Sequence, residues 1–135
     1  KQVGTLSNWS QKRAGYVFSA ATNSVGNLLN FGANYKGSLG TSNLTDYSSP
    51  VQIGALTNWL YLGAGYRRNV AIKTDGTLWT WGYGPTGALG TNNTTIRSSP
   101  VQTIASGTNW KYVEGNQSQV MAIRDDSADM FGNPL

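Results

Sequence analysis

The sequence predicts an all-β chain built from about three copies of one antiparallel, four-stranded unit. Three observations predict it. The 135 residues match themselves at a shift of about 50. The best-formed copy holds Asp75-Gly76 between two runs of β-branched and aromatic residues, which is a hairpin signal. No stretch shows apolar residues at helical spacing. A small sheet of this kind buries one face poorly by itself, and stacked neighbours complete its core. Four-stranded units repeated at this length are the sequence form of propeller blades.

The repeat can be followed along the chain. QVGTLSNW at residues 2–9 returns as QIGALTNW at residues 52–59. The segment at residues 14–41 returns at residues 64–91, and SSPVQ at residues 48–52 returns at residues 98–102. A third copy opens with TNWKYVEG at residues 108–115 and runs through VMAIRDDSADMFG to the final residue, Leu135. The repeats therefore divide as 1–47, 48–97 and a shortened 98–135. Three blades leave two open ends, as a partial propeller or an open arc would. The chain is expected to be part of a longer array or of an assembly, and to associate when isolated.

In the middle copy the first strand is expected at residues 59–62. A hairpin follows, with strands at residues 69–74 and 77–81. A two-residue turn at Asp75-Gly76 sets its register. Ile72 then faces Trp79 and Val70 faces Trp81, and these four side chains share one face. The fourth strand is expected at residues 100–104, with Pro100 at its start. Gly82, Gly87 and Gly90 mark the long connection. Residues 82–87 match G-x-G-x-x-G, but no helical segment follows, so a structural turn is the expected reading. Trp9, Trp59 and Trp110 recur at one repeat position. Recurrence in every unit argues for packing between units rather than for a stacking platform.

Composition narrows the chemistry. Charged residues are 12% and aromatic residues 11%, the balance of a packed chain rather than a disordered one. The net charge of +4 is spread over scattered Lys and Arg with no basic run, which argues against a nucleic-acid partner. There is no Cys and no His. Disulfides, thiolate metal sites and the commonest general base are therefore missing, and no catalytic, metal or cofactor site is expected. Asp125, Asp126 and Asp129 cluster without the spacing of a calcium loop. No apolar run approaches the ~20 residues of a membrane-spanning helix.

The middle copy runs Trp59, Gly65, Val70-Ala71-Ile72-Lys73-Thr74-Asp75-Gly76-Thr77-Leu78-Trp79-Thr80-Trp81-Gly82, Gly87-Ala88-Leu89-Gly90 and Pro100. This order resembles the repeat of the regulator of chromosome condensation family. The resemblance implies a seven-bladed β-propeller. One departure is the stretch Tyr66-Arg67-Arg68, where that family often carries histidine. The composition resembles the members of this family found in bacterial surface proteins and bacteriophage structural proteins.

The expected function is a non-enzymatic structural or recognition module of a virion or cell surface. Its expected partners are other structural proteins or further repeats, or a host glycan or receptor. Recognition is expected in the long polar loops, at Tyr35, Lys36, Tyr47, Tyr83 and Arg97, because loops on a rigid scaffold carry binding. The alternatives are guanine-nucleotide exchange on a small GTPase, which the resemblance implies, and a glycan-binding propeller.

Overall fold

A computed structural model describes residues 7–105, 107–117 and 119–125. Within these residues, ten strands form three antiparallel sheets. The first sheet holds β1 (Trp9–Ala14), β2 (Phe18–Asn23), β3 (Leu28–Gly32) and β4 (Tyr47–Gln52), paired in that order. The second holds β5 (Trp59–Ala64), β6 (Arg68–Lys73), β7 (Leu78–Gly82) and β8 (Arg97–Gln102). In the third, β9 (Trp110–Gly115) pairs with β10 (Val120–Arg124). Among the described residues there is no α-helix, only one short 3-10 helix at Tyr35–Gly37. The architecture is the expected one, blades of a propeller. The chain cuts at 47/48 and 97/98 fall inside β4 and β8, however, so the sheets change over later than the repeat boundaries do.

The hairpin register differs from the sequence expectation by one residue. Ile72 pairs with Leu78, Val70 with Thr80, Ala71 with Trp79 and Asn69 with Trp81. The reason is the turn. The Gly76 N–H donates to the Lys73 carbonyl at 2.9 Å, and the Lys73 N–H donates to the Thr77 carbonyl at 3.1 Å. With Gly76 at φ 80°, the loop has three residues and a glycine bulge rather than two residues. One extra residue moves a strand's side chains to the opposite face. Val70, Ile72 and Leu78 thus face the third sheet, where they pack with Val113. Trp79, Trp81 and Ala71 face the first sheet. Both tryptophans sit opposite a small or polar residue, which leaves room for the indoles.

Packing between sheets forms the core. Phe18, Ala20, Leu28, Leu39 and Ile53 meet Trp59, Leu62, Ala71 and Trp81 in one buried cluster. Trp59 lies edge-on to Trp79, with ring centroids 6.2 Å apart and planes at 82°. Trp9 and Trp110, the counterparts of Trp59, are half-buried. The corresponding face of the first sheet carries an open groove of about 420 Å³ lined by Trp9, Ala21 and Phe31, among others. On the inner strands, Arg13 pairs with Glu114 at 3.8 Å. The Tyr112 hydroxyl donates to the same carboxylate at 2.8 Å, and that hydrogen bond, then the Glu114 charge, pushes the phenol up from its ordinary pKa.

The outer strands and loops are joined by polar contacts. Pro100 is the fourth residue of β8, not the first, and lies where the ladder to β7 is bulged. It is tolerated there because β8 is an edge strand. The long loop at residues 33–46 reaches the second sheet. The Ser42 N–H donates to the Ser98 carbonyl at 2.8 Å, and the Ser42 and Ser99 hydroxyls share a hydrogen bond of 2.7 Å. Two buried asparagines hold the same loop: Asn30 Nδ2 donates to the Leu39 carbonyl at 2.8 Å, and Asn69 Nδ2 to the Ser38 carbonyl at 2.7 Å. Such pairing is what allows loop backbone to be buried at all.

Candidate functional site

Antiparallel connections send the turns at residues 15–17 and 65–67 and the loops at residues 33–46 and 83–96 to one rim of the blades. Tyr16 and Tyr66 occupy the same repeat position there, each after a glycine. Their ring centroids are 4.4 Å apart. The Arg67 guanidinium then lies 4.5 Å from the Tyr66 ring centroid and 3.9 Å from that of Tyr35. Tyr83 meets Tyr35 edge-on at 6.1 Å, and Lys36 Nζ stands 5.5 Å from the same Tyr35 ring. The result is a run of rings and cations across two sheets. Tyr16 is 65% exposed and Tyr35 43%, so the rim presents this chemistry to solvent. Each cation–ring contact is worth about 0.5–2 kcal/mol, depending on how far it is desolvated.

The cluster is placed by Asn34, whose side chain is buried. Its backbone N–H donates to Asp46 Oδ1 at 2.7 Å. Its Nδ2 donates to Thr41 Oγ1 at 3.0 Å and to the Asn43 carbonyl at 2.9 Å, while its Oδ1 accepts the Leu39 N–H at 2.9 Å. Residues 39, 41 and 43 are thus tied to one side chain and Asp46 to its backbone, and within this loop Lys36 takes a left-handed conformation with φ 55°. Below the rim, burial lowers the pKa of Arg68, and the Tyr83 phenol opposes that shift.

Of the residues singled out from sequence, the structure brings Tyr35, Lys36 and Tyr83 together. Tyr47 and Arg97 begin β4 and β8, beside this rim, and take no part in its ring and cation contacts. Tyr47 packs against the core and its hydroxyl accepts from Asn43 Nδ2 at 3.1 Å. Arg97 pairs across the ladder with Gly82 on the edge strand. Tyr16, Tyr66 and Arg67 were missed. The repeated Gly-Tyr at residues 15–16 and 65–66 is the signal that could have found them.

The opposite rim carries a buried cation. Lys73 is 5% exposed, with Nζ 3.5 Å from the Trp79 ring centroid and 4.9 Å from that of Trp59. Desolvation lowers its pKa from the ordinary 10.5, and Asp75 opposes the shift. Asp75 in turn is held below its usual range chiefly by the Thr77 hydroxyl, which donates at 2.6 Å and accepts from Trp79 Nε1 at 2.8 Å. Between the lowered folded pKa and 10.5, the unfolded chain binds more protons at this group. Lys73 therefore contributes stability that rises with pH through that window and is fully present above it. Denaturant titrations from about pH 8 to pH 11 should show wild-type stability rising relative to Lys73→Met. A flat difference would exclude the desolvated cation.

Among the described residues no three His, Cys, Asp or Glu side chains could share a metal ion. Asp125 exchanges hydrogen bonds with Asn109: its N–H donates to the Asn109 carbonyl at 3.0 Å, and Asn109 Nδ2 donates to its carbonyl at 2.7 Å. Asp126 and Asp129 lie outside the described residues. Residues 82–87 lead from β7 into the loop before β8, with no helix to receive a phosphate.

The family described as regulator of chromosome condensation (RCC1) repeat matches residues 75–123. That match takes β7 and β8 from one sheet and β9 and most of β10 from the next, so the sequence repeat is offset from the blade. No curated protein matches the sequence. Among solved structures, human WBSCR16 superposes with a TM-score of 0.78 at 21% identity, over 92% of this chain and 33% of its own. Yeast RCC1 (Prp20), solved bound to Kap60, superposes with a TM-score of 0.77 at 15% identity, over 90% of this chain and 31% of its own. Prp20p from Saccharomyces cerevisiae, described with its binding to Gsp1p and histones, gives 0.74 at 17% identity, over 98% of this chain and 35% of its own. The chain thus spans about a third of the length of the structures it matches. Residues 75–123 thus match a regulator of chromosome condensation repeat, and the chain shares the propeller-blade fold of these structures.

Proposed function

We propose that the chain is a non-enzymatic recognition module that binds other proteins through the rim bearing Tyr16, Tyr35, Tyr66 and Arg67. The observation that carries this reading is the composition and rigidity of that rim. Tyrosine and arginine are the residues that dominate protein interfaces, and these are held in place by stacking and by Asn34. The propeller fold supports it as well, since the yeast protein of the same fold was solved with a protein bound. The setting we propose is a virion or a cell surface, where Asn-, Ser- and Thr-rich loops of low charge meet other structural proteins. A host-surface receptor is the alternative partner there.

Cross-linking of the chain within its native assembly tests this. Cross-links from Lys36 to a second protein are expected, and they should be lost in a Tyr35→Ala, Tyr66→Ala double variant that still folds. Cross-links confined to the far rim would overturn the reading. Nucleotide exchange is the competing reading, and it predicts that the chain accelerates GDP release from a small GTPase; no acceleration is expected.

A further inference from the structure

We infer that the Arg67 site is a receptor for carboxylates of an acidic protein segment, and this rests on the protein-recognition reading above. The guanidinium carbon lies 3.9 Å from the Tyr35 ring centroid and 4.5 Å from that of Tyr66, so two rings confine its position. One of its N–H groups, on Nη2, donates to the Tyr66 hydroxyl at 3.3 Å. Of the five N–H groups of a guanidinium, that hydrogen bond uses one and leaves the others to bond a ligand. The planar fork of a guanidinium matches the two oxygens of a carboxylate, and a side chain confined by two rings has less entropy to lose on binding.

Charge points the same way. Lys36 shares the Tyr35 ring with Arg67, so two cations flank one phenol. Among the described residues neither Lys36 nor Arg67 has an ion pair with a carboxylate, unlike Arg13 with Glu114. Asp46, the acidic side chain of the same loop, is engaged by the Asn34 N–H. The exposed rings of Tyr16 and Tyr35 add apolar area beside the charges, which suits a peptide better than a free anion. An acidic segment would place a carboxylate on Arg67, a second near Lys36, and its aliphatic atoms on the tyrosines.

The whole chain should be titrated with two labelled peptides of equal length, one alternating Glu and Gly and the other alternating Gln and Gly. The Glu peptide is expected to bind and the Gln peptide not to. Binding should weaken as salt is raised. Arg67→Lys keeps the charge but loses the planar fork, and should bind about tenfold more weakly. Tyr35→Leu keeps Arg67 but removes one stacking ring, and should weaken binding as well. Thermal unfolding of each variant separates loss of binding from loss of fold. Equal binding of both peptides, no binding of the Glu peptide, or an Arg67→Lys variant as tight as wild type would overturn the proposal. So would a short polyphosphate that competes as well as the Glu peptide, since that would show a general anion site. If cross-links to a partner protein form while the wild-type chain does not bind the Glu peptide, the recognition reading stands and the carboxylate reading falls.

Discussion

Replacing Trp81 with alanine should cost about 3–5 kcal/mol of stability, the largest loss expected from a single truncation in this chain. The side chain is fully buried where the first two sheets meet, and its ring centroid lies 6.0 Å from that of Trp59. A glycine of the first loop, Gly40, lies flat against it: a Cβ there would come within 2.7 Å of the indole nitrogen. Backbone packed this closely cannot collapse into the space that truncation leaves. The lost contacts therefore remain as a cavity, and the penalty stays at the upper end of the range. The indole N–H itself is buried without a hydrogen-bond partner, so the ring is kept for its packing. Trp81→Phe should accordingly cost much less than Trp81→Ala, and Phe31 stands at this position in the first repeat. Urea titration of both variants checks this. A loss under about 1 kcal/mol for alanine would mean that the tryptophan face is not the inter-sheet layer.

Valine at Gly76 should be nearly as damaging, at about 2–5 kcal/mol, because strain and overlap add. At φ 80° any Cβ is strained, and a β-branched one more so. A Cβ would also overlap the Thr108 carbonyl oxygen. That carbonyl belongs to the segment leading into β9, and the Trp110 N–H donates to the Gly76 carbonyl at 3.2 Å. The substitution therefore pushes the third sheet away from the second. Gly54 supplies the control. Its φ is 65°, but open space surrounds its Cβ position, so Gly54→Val should show strain alone. Equal thermal shifts for the two would remove the steric half of the argument. The third repeat's counterpart of this turn, around Ser127, lies outside the described residues.

The middle hairpin shows how far local reading reaches. Asp75-Gly76 announced a turn, and a turn is there. A two-residue and a three-residue loop can both be written with the same dipeptide, and the choice rests on whether Lys73 and Thr77 close the pair. That choice carried Trp79 and Trp81 away from Val70 and Ile72. The recognition loops were legible in the same partial way. Tyr35, Lys36 and Tyr83 stood out as large polar residues in long connections, and they do meet. Tyr47 and Arg97 shared that description, but they begin outer strands, and packing claims Tyr47.

By itself the sequence determined the all-β class, the repeating four-stranded unit and the hairpin tips, because each is written in local alternation, turn chemistry or self-similarity at a fixed shift. Tertiary structure alone decided the register, the facing of the sheets and the rim site. Register turned on a single hydrogen-bonded pair across a glycine bulge, which moves every side chain of a strand to the opposite face. The rim turned on residues 16, 35, 66, 67 and 83, which come from four separate connections. Only the stacking of one blade on the next brings their rings and cations within contact distance.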